Sequence, residues 1–271
     1  MMLSTPSNPA QLSRFAKPEP GQGRTGIGLA LLIFGSGVAL HIYSVAFLKI
    51  DMASAPLVLI LFALLCWLSV GMFIVAHDAM HGTLVPGWPR LSGFIGGLML
   101  FVYAGFGWRK MRDAHMDHHK YSGTARDPDF DAAHPTAFWP WYFTFLKRYF
   151  GIVPIIYVFA VTWSYILLFH FDPVNVVLLY GAPAIISSFQ LFYFGTYRPH
   201  RHEAGNDFPD HHNARTAAYG HLTSLFTCFH FGYHEEHHIA PYVPWWGLPE
   251  RRRARLEVVG KRSDTLAYDV R

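Results

Sequence analysis

Charge is what this sequence has least of. Asp, Glu, Lys and Arg make up 15% of its 271 residues, against about 25% in soluble proteins. Four stretches hold none: between Arg24 and Lys49, Asp51 and Asp78, Arg148 and Asp172, and Asp172 and Arg198. Each exceeds the roughly 20 residues a helix needs to cross a bilayer, and a soluble chain of this size could hardly cover four such helices. A soluble fold is thereby excluded. Cysteine is scarce too. Cys66 and Cys228 exclude a disulfide framework and a cysteine-ligated iron–sulfur cluster, and read as small buried hydrophobes. No glycine-rich dinucleotide fingerprint and no fused cytochrome-like domain are present. The first apolar stretch starts too far from Met1 for an ordinary leader, and no convincing cleavage site follows it.

Histidine, by contrast, is abundant, with 17 residues. Most lie in three short clusters: His77-Asp-Ala-Met-His81, His115-Met-Asp-His118-His119 and His234-Glu-Glu-His237-His238. In a helix, positions i, i+3 and i+4 share a face, so each cluster presents two or three imidazoles in one direction. Neutral imidazole is the commonest ligand for transition metals. One His-x-x-x-His pair arises by chance; three clusters point to metal.

Four spans, at about 25–48, 52–77, 149–171 and 173–197, place both termini and the segment 77–148 on one side. Every Lys and Arg except Lys49 then falls on that side, which the positive-inside rule makes cytoplasmic. Topology and contact with anionic lipid account for the basic pI near 9.0 without nucleic acid. A fifth apolar stretch, 91–108, contains Gly93, Gly96, Gly97, Gly105 and Gly107. Were it to cross, the first two histidine clusters would face opposite sides of the membrane, so it is read as re-entrant or interfacial. The expected fold class is an all-α integral membrane protein: four transmembrane helices, the re-entrant segment and a cytoplasmic histidine-rich cap. Residues 1–24 read as a mobile polar arm, 25–252 as one membrane domain, and 253–271, together with Arg251 and Arg252, as a solvated tail. Phe138–Phe145 followed by Lys147 and Arg148 is an aromatic-then-basic interfacial pattern, with part of a substrate groove as its alternative. Pro244-Trp245-Trp246 is treated the same way.

Magnesium or calcium would demand carboxylates, a closed zinc site only four ligands, and a bis-histidine haem one imidazole per helix. A dinuclear iron centre held mostly by histidine fits eight imidazoles at the mouth of an apolar bundle. Such a centre activates dioxygen toward unactivated C–H bonds, and a lipid-like substrate arrives sideways from the bilayer. A membrane metal transporter or sensor is the reading from a different class. Against it, the spans carry no acidic or histidine residues near their midpoints.

The motifs HDAMH, HMDHH and HEEHH across four spans resemble the membrane fatty-acid desaturase and hydroxylase superfamily. Within it, His77-Asp-Ala-Met-His-Gly82, Phe194-Gly-Thr-Tyr-Arg-Pro-His-Arg201, Cys228-Phe-His-Phe-Gly-Tyr-His-Glu-Glu-His-His238 and Val243-Pro-Trp-Trp-Gly-Leu-Pro249 are similar to bacterial β-carotene ketolases. The likeness runs from about Gly26 to Arg252. It implies two successive hydroxylations at C4 of a β-ionone ring and loss of water to leave a ketone. Carotenoid hydroxylases, acyl-lipid desaturases and alkane hydroxylases share the same histidine spacing and stay open. The resemblance implies two non-haem iron ions, dioxygen as co-substrate, and His77, His81, His115, His118, His119, His234, His237 and His238 as ligands. His200 is the expected further ligand, with Thr196 four residues before it where desaturases place Asn. Asp78, Asp117, Glu236 and His230 are expected to support the ligands, and Asp113 is another candidate. Where ketolases of this type often carry a second His in the third box, this chain has Glu235. The implied partners are a carotenoid from the bilayer and an external, ferredoxin-type electron donor attracted by the basic cytoplasmic face. The implied location is the bacterial inner membrane.

Overall fold

The computed structural model describes residues 15–257 except 16, 204, 206 and 209. Most of the expected N-terminal arm and of the C-terminal tail lies outside the described residues. The described chain is helical, with no strand among those residues.

Three helices are long and apolar enough to cross a membrane: α1 (Gln22–Phe47), α2 (Ala55–His81) and α7 (Pro173–His200). The remaining apolar segments are bent pairs. Helix α3 (Pro89–Ala104) meets α4 (Trp108–Tyr121) at 102°, and α5 (Phe138–Tyr149) meets α6 (Ile152–Leu168) at 84°. The expected third span, 149–171, is thus shorter than its charge-free stretch. Gly151 breaks it from α5, and α6 begins at Ile152. The segment 91–108 expected to be re-entrant falls on α3 and the bend after it, where Gly105 takes the left-handed region (φ 69°).

Helix α2 is the axis of the bundle. It packs against α1, α3 and α7, and its mean hydropathy of 2.8 is the highest of the three spans. Large apolar side chains on the outside of the bundle point outward: Leu31, Leu59, Phe94, Ile156, Phe159, Leu168 and Val177 are all more than half exposed. Spread over several helices, they form a belt that only lipid would cover. Asn175 is a polar residue inside the belt that is paired. The amide of Asn175 donates to the carbonyls of Ser44 (2.9 Å) and Leu48 (2.7 Å), beside the π-helical turn that ends α1.

Close packing sets where α4 lies. A Cβ on Gly96 of α3 would overlap the Trp108 ring and Ala79, so glycine lets the start of α4 lie against α3 and α2. Two short helices, α8 (His221–Cys228) and α9 (His234–Ile239), complete the cap. Residues 248–257 are also helical. Arg251 there is 4% exposed, and Arg255 pairs with both Glu235 and Glu236. The basic run read as solvated is therefore packed against the cap as far as residue 257, because two buried carboxylates on α9 draw it in.

Candidate metal centre

Four helix ends converge beneath the cap. The last turn of α2 carries His77 and His81, and α4 carries His115, His118 and His119. The end of α7 supplies His200, and α9 supplies His234, His237 and His238. Their ligand atoms fall into two groups, each within 4.8 Å: His77, His81, His115, His119 and His237, and His118, His200, His234 and His238.

The expectation that each cluster aims one way is corrected here. Successive helical residues turn by about 100°, so His118 and His119 diverge and enter different pockets. The third cluster divides likewise, His237 from His234 and His238. His200 joins the second pocket.

Ring nitrogens face one another at short range. The Nε2 atoms of His81 and His115 are 2.7 Å apart, and those of His119 and His237 3.0 Å. In the second pocket Nε2 of His234 lies 2.8 Å from that of His200 and 3.1 Å from that of His238, which is 3.2 Å from that of His118. His118 and His200 have their Nδ1 protons engaged elsewhere, so their Nε2 atoms present lone pairs. Ring nitrogens facing one another at this range share either a proton or a cation. Two imidazoles bound to one ion at about 2.1 Å sit roughly 3 Å apart, so the residues fit the metal their types imply. Nε2 of His77 is buried without a hydrogen-bond partner, as a ligand nitrogen would be. Burial holds His234, His237 and His238 well below the ordinary histidine range, which keeps them in the neutral form that binds metal.

Supporting groups were harder to foresee. Asp127 accepts from Nδ1 of His118 at 2.9 Å. Burial alone would raise this carboxyl. The His118 imidazole and the N–H groups of Asp129 and Gly123 outweigh that and hold it below its usual range. His200 donates from Nδ1 to the Asn213 carbonyl at 2.7 Å, with the Ser122 hydroxyl at 3.2 Å. A clue lay in the Asp-Pro-Asp run eight residues after the second cluster; nothing in the sequence marks Asn213.

The tentative partners divide. Asp78 lies 3.4 Å from Nδ1 of His77 and accepts from the Trp245 backbone N–H at 2.9 Å. Trp245 is therefore buried in the cap, whereas the sequence placed it in an aromatic belt. Asp117 is exposed, as is Asp113, because position 117 points away from the face that carries His115, His118 and His119. Glu236 accepts from Thr216 and from Arg255 at 3.3 Å, and Glu235 pairs with Arg255. Both carboxylates turn toward the 248–257 helix rather than the ligands. His230 lies outside both pockets, its ring 4.6 Å from that of His221. His211 and His212 form an exposed to half-buried group with Asp210.

Both pockets open onto a cavity of about 580 Å³ lined by His77, His115, His118 and His234 at one end. Its walls are almost wholly apolar, with Phe73, Met111 and Phe145 among them. Tyr142, Phe143 and Phe145 bring the aromatic segment into this wall, so the groove reading of that segment holds beside the interfacial one.

The family model described as fatty acid desaturase matches residues 53–162 and 147–268. A beta-carotene ketolase from one Paracoccus strain is 46% identical, over 84% of this chain and 92% of its own length. A second, from another Paracoccus strain, is 45% identical over 89% and 98%. A zeaxanthin 4-ketolase of Chlamydomonas reinhardtii is 35% identical over 84% of this chain and 53% of that protein. With both histidine pockets inside the matched segments, the chain belongs to the fatty acid desaturase family.

Proposed function

We propose that this chain is a β-carotene 4-ketolase, converting the C4 methylene of a β-ionone ring to a ketone to give echinenone and then canthaxanthin. The observation that carries the reading is the junction of two all-histidine pockets with one deep apolar cavity, in a chain 45–46% identical to proteins named beta-carotene ketolase. An acyl or polyene chain suits such walls; a hydrophilic substrate does not.

His77, His81, His115, His119 and His237 would hold one iron ion, and His118, His200, His234 and His238 the other. Iron so bound supplies, with dioxygen, the oxidation of an unactivated C–H bond. The remaining work falls to the chain. Met80, Met111 and Phe231 at the cavity's metal end hold the ring and exclude water. Asp127 and the Asn213 carbonyl keep the Nδ1 protons of His118 and His200 away from the site, fixing which nitrogen faces it. Two hydroxylations at one carbon give a geminal diol, which loses water to leave the ketone. Each consumes two electrons from an external donor. Exposed Arg109, Lys110, Arg112, Lys120 and Arg126 around α4 favour an acidic, ferredoxin-type protein. We further place the chain in a bacterial inner membrane, crossing it four times with α6 as the third span, and with both termini and the metal centre cytoplasmic.

Pigment analysis by chromatography and mass spectrometry in a β-carotene-producing bacterial host tests the reading. Ring ketone formed by the chain, and lost on His118→Ala with His119→Ala, is the expected result. Hydroxylated product alone would move the assignment to a carotenoid hydroxylase. Unchanged β-carotene beside inserted, iron-loaded protein would refute it.

A further inference from the structure

The cavity does not end at the metal centre. It follows α7 from Thr196, beside the histidines, to Tyr180, about 24 Å along the helix at 1.5 Å per residue. Hydroxyls along the way are already engaged: Tyr103 with Ser187 at 3.0 Å, and Tyr142 with Ser188 at 2.7 Å. At the far end the surroundings change. Tyr180 sits in the π-helical turn Val177–Gly181, and its ring touches those of His41 (centroids 5.4 Å apart) and Tyr165 (5.6 Å). Behind it, Nε2 of His41 pairs with the Tyr165 hydroxyl at 2.9 Å, and Tyr165 lies in a second π-helical turn, Ser164–Leu168. Three spans thus bring a partly buried polar cluster together toward the far end of the apolar bundle. There a polar group is costly unless it is used, and π-helical turns recur at functional positions.

Resting on the ketolase reading, we propose that Tyr180 is a specificity-determining residue. Its hydroxyl, with the His41–Tyr165 pair behind it, docks an oxygen atom on the far ring of a carotenoid whose near ring lies at the metal centre. The Tyr180 hydroxyl donates to a ketone, or exchanges a hydrogen bond with a hydroxyl, at the distal end. Carotenoids already oxygenated at one ring are therefore held better than β-carotene. A mono-ketone released after the first reaction re-enters reversed, its ketone on Tyr180 and its unreacted ring at the histidines. The second oxidation is thereby favoured over release of the half-finished product.

The test is a binding titration, followed by carotenoid absorption, of the iron-loaded chain in detergent with β-carotene and with zeaxanthin, whose rings carry hydroxyls. Tyr180→Phe should lower the ratio of zeaxanthin to β-carotene affinity about 5- to 10-fold, the worth of one hydrogen bond. In pigment-producing cells it should shift product from di-ketone toward mono-ketone. An unchanged affinity ratio overturns the proposal. Should Tyr180→Phe fail to accumulate, Ala184→Phe decides, because Ala184 lies one turn nearer the metal on the same wall. Its added ring should weaken binding of both carotenoids, and undiminished binding would mean that the far ring never reaches Tyr180. Because binding is read without turnover, selectivity without any ketone formation would sink the ketolase reading alone. Ketone formation with unaltered selectivity would sink the docking point alone.

Discussion

At His118 the proton is held on Nδ1 by the Asp127 carboxylate, which leaves Nε2 bare toward His238 and the second pocket. Asp127→Asn keeps the shape but removes the charge, and its amide can offer an N–H where an acceptor is needed. Loss of such a supporting carboxylate typically costs 10- to 100-fold in metal affinity. Iron per chain should fall toward half at limiting iron while the first pocket stays loaded; full occupancy by elemental analysis would refute the role. The residue scale is also where the sequence was most and least informative. The gathering of eight histidines was legible because i, i+3, i+4 spacing is imposed by the helix itself. Which pocket each joins was not, since that depends on how α4 and α9 are rotated against α2. Asp127 and Asn213 were hidden for a different reason: they act from loops, and loop position follows no period.

Helix α3 and its turn into α4 show how an element positions chemistry it does not contain. Gly96 and Gly97 are neighbours with opposite constraints. A Cβ on Gly96 would overlap Trp108 and Ala79, whereas one on Gly97 would meet Trp108 at an ordinary 3.6 Å. Gly97→Ala should therefore be neutral or stabilise by up to about 1 kcal/mol, as expected for removing glycine from a helix. Gly96→Ala should destabilise by about 1–3 kcal/mol and lower iron content, because Trp108 opens the helix that carries His115, His118 and His119. Thermal melts and metal analysis of the pair check this, and equal behaviour would refute it. The glycines and the geometric conflict between the first two clusters made the bend between α3 and α4 legible. The break at Gly151 was not, because absence of charge reports apolarity and says nothing of direction.

Across the whole molecule, sidedness and acidity are the properties to probe. Met52 is 91% exposed on the short turn between α1 and α2, while Cys66 and Cys228 are buried and silent to labelling. Met52→Cys should react with a membrane-impermeant maleimide in intact cells and Arg126→Cys only after lysis; the reverse pattern would invert the topology. Acid should also weaken the iron-stripped protein. His234, His237 and His238 stay neutral in the fold well below their ordinary value of 6.5, whereas the unfolded chain takes up protons below that pH. Stability is thus intact above about 6.5 and falls as the pH drops below it, by up to about 1.4 kcal/mol per pH unit for each residue. A melting temperature flat from pH 7 to 5 in chelator-treated protein would refute this.

The order in which the ligands occur along the chain has a consequence for biogenesis. Each pocket takes residues from early helices and from α9, so neither is closed until residues 234–238 have left the ribosome. By then α1, α2 and α7 have been delivered to the bilayer. On the diiron reading, metallation would follow insertion, from the side where the cap assembles. A chain arrested before His234 would be an inserted membrane protein with both histidine pockets left open.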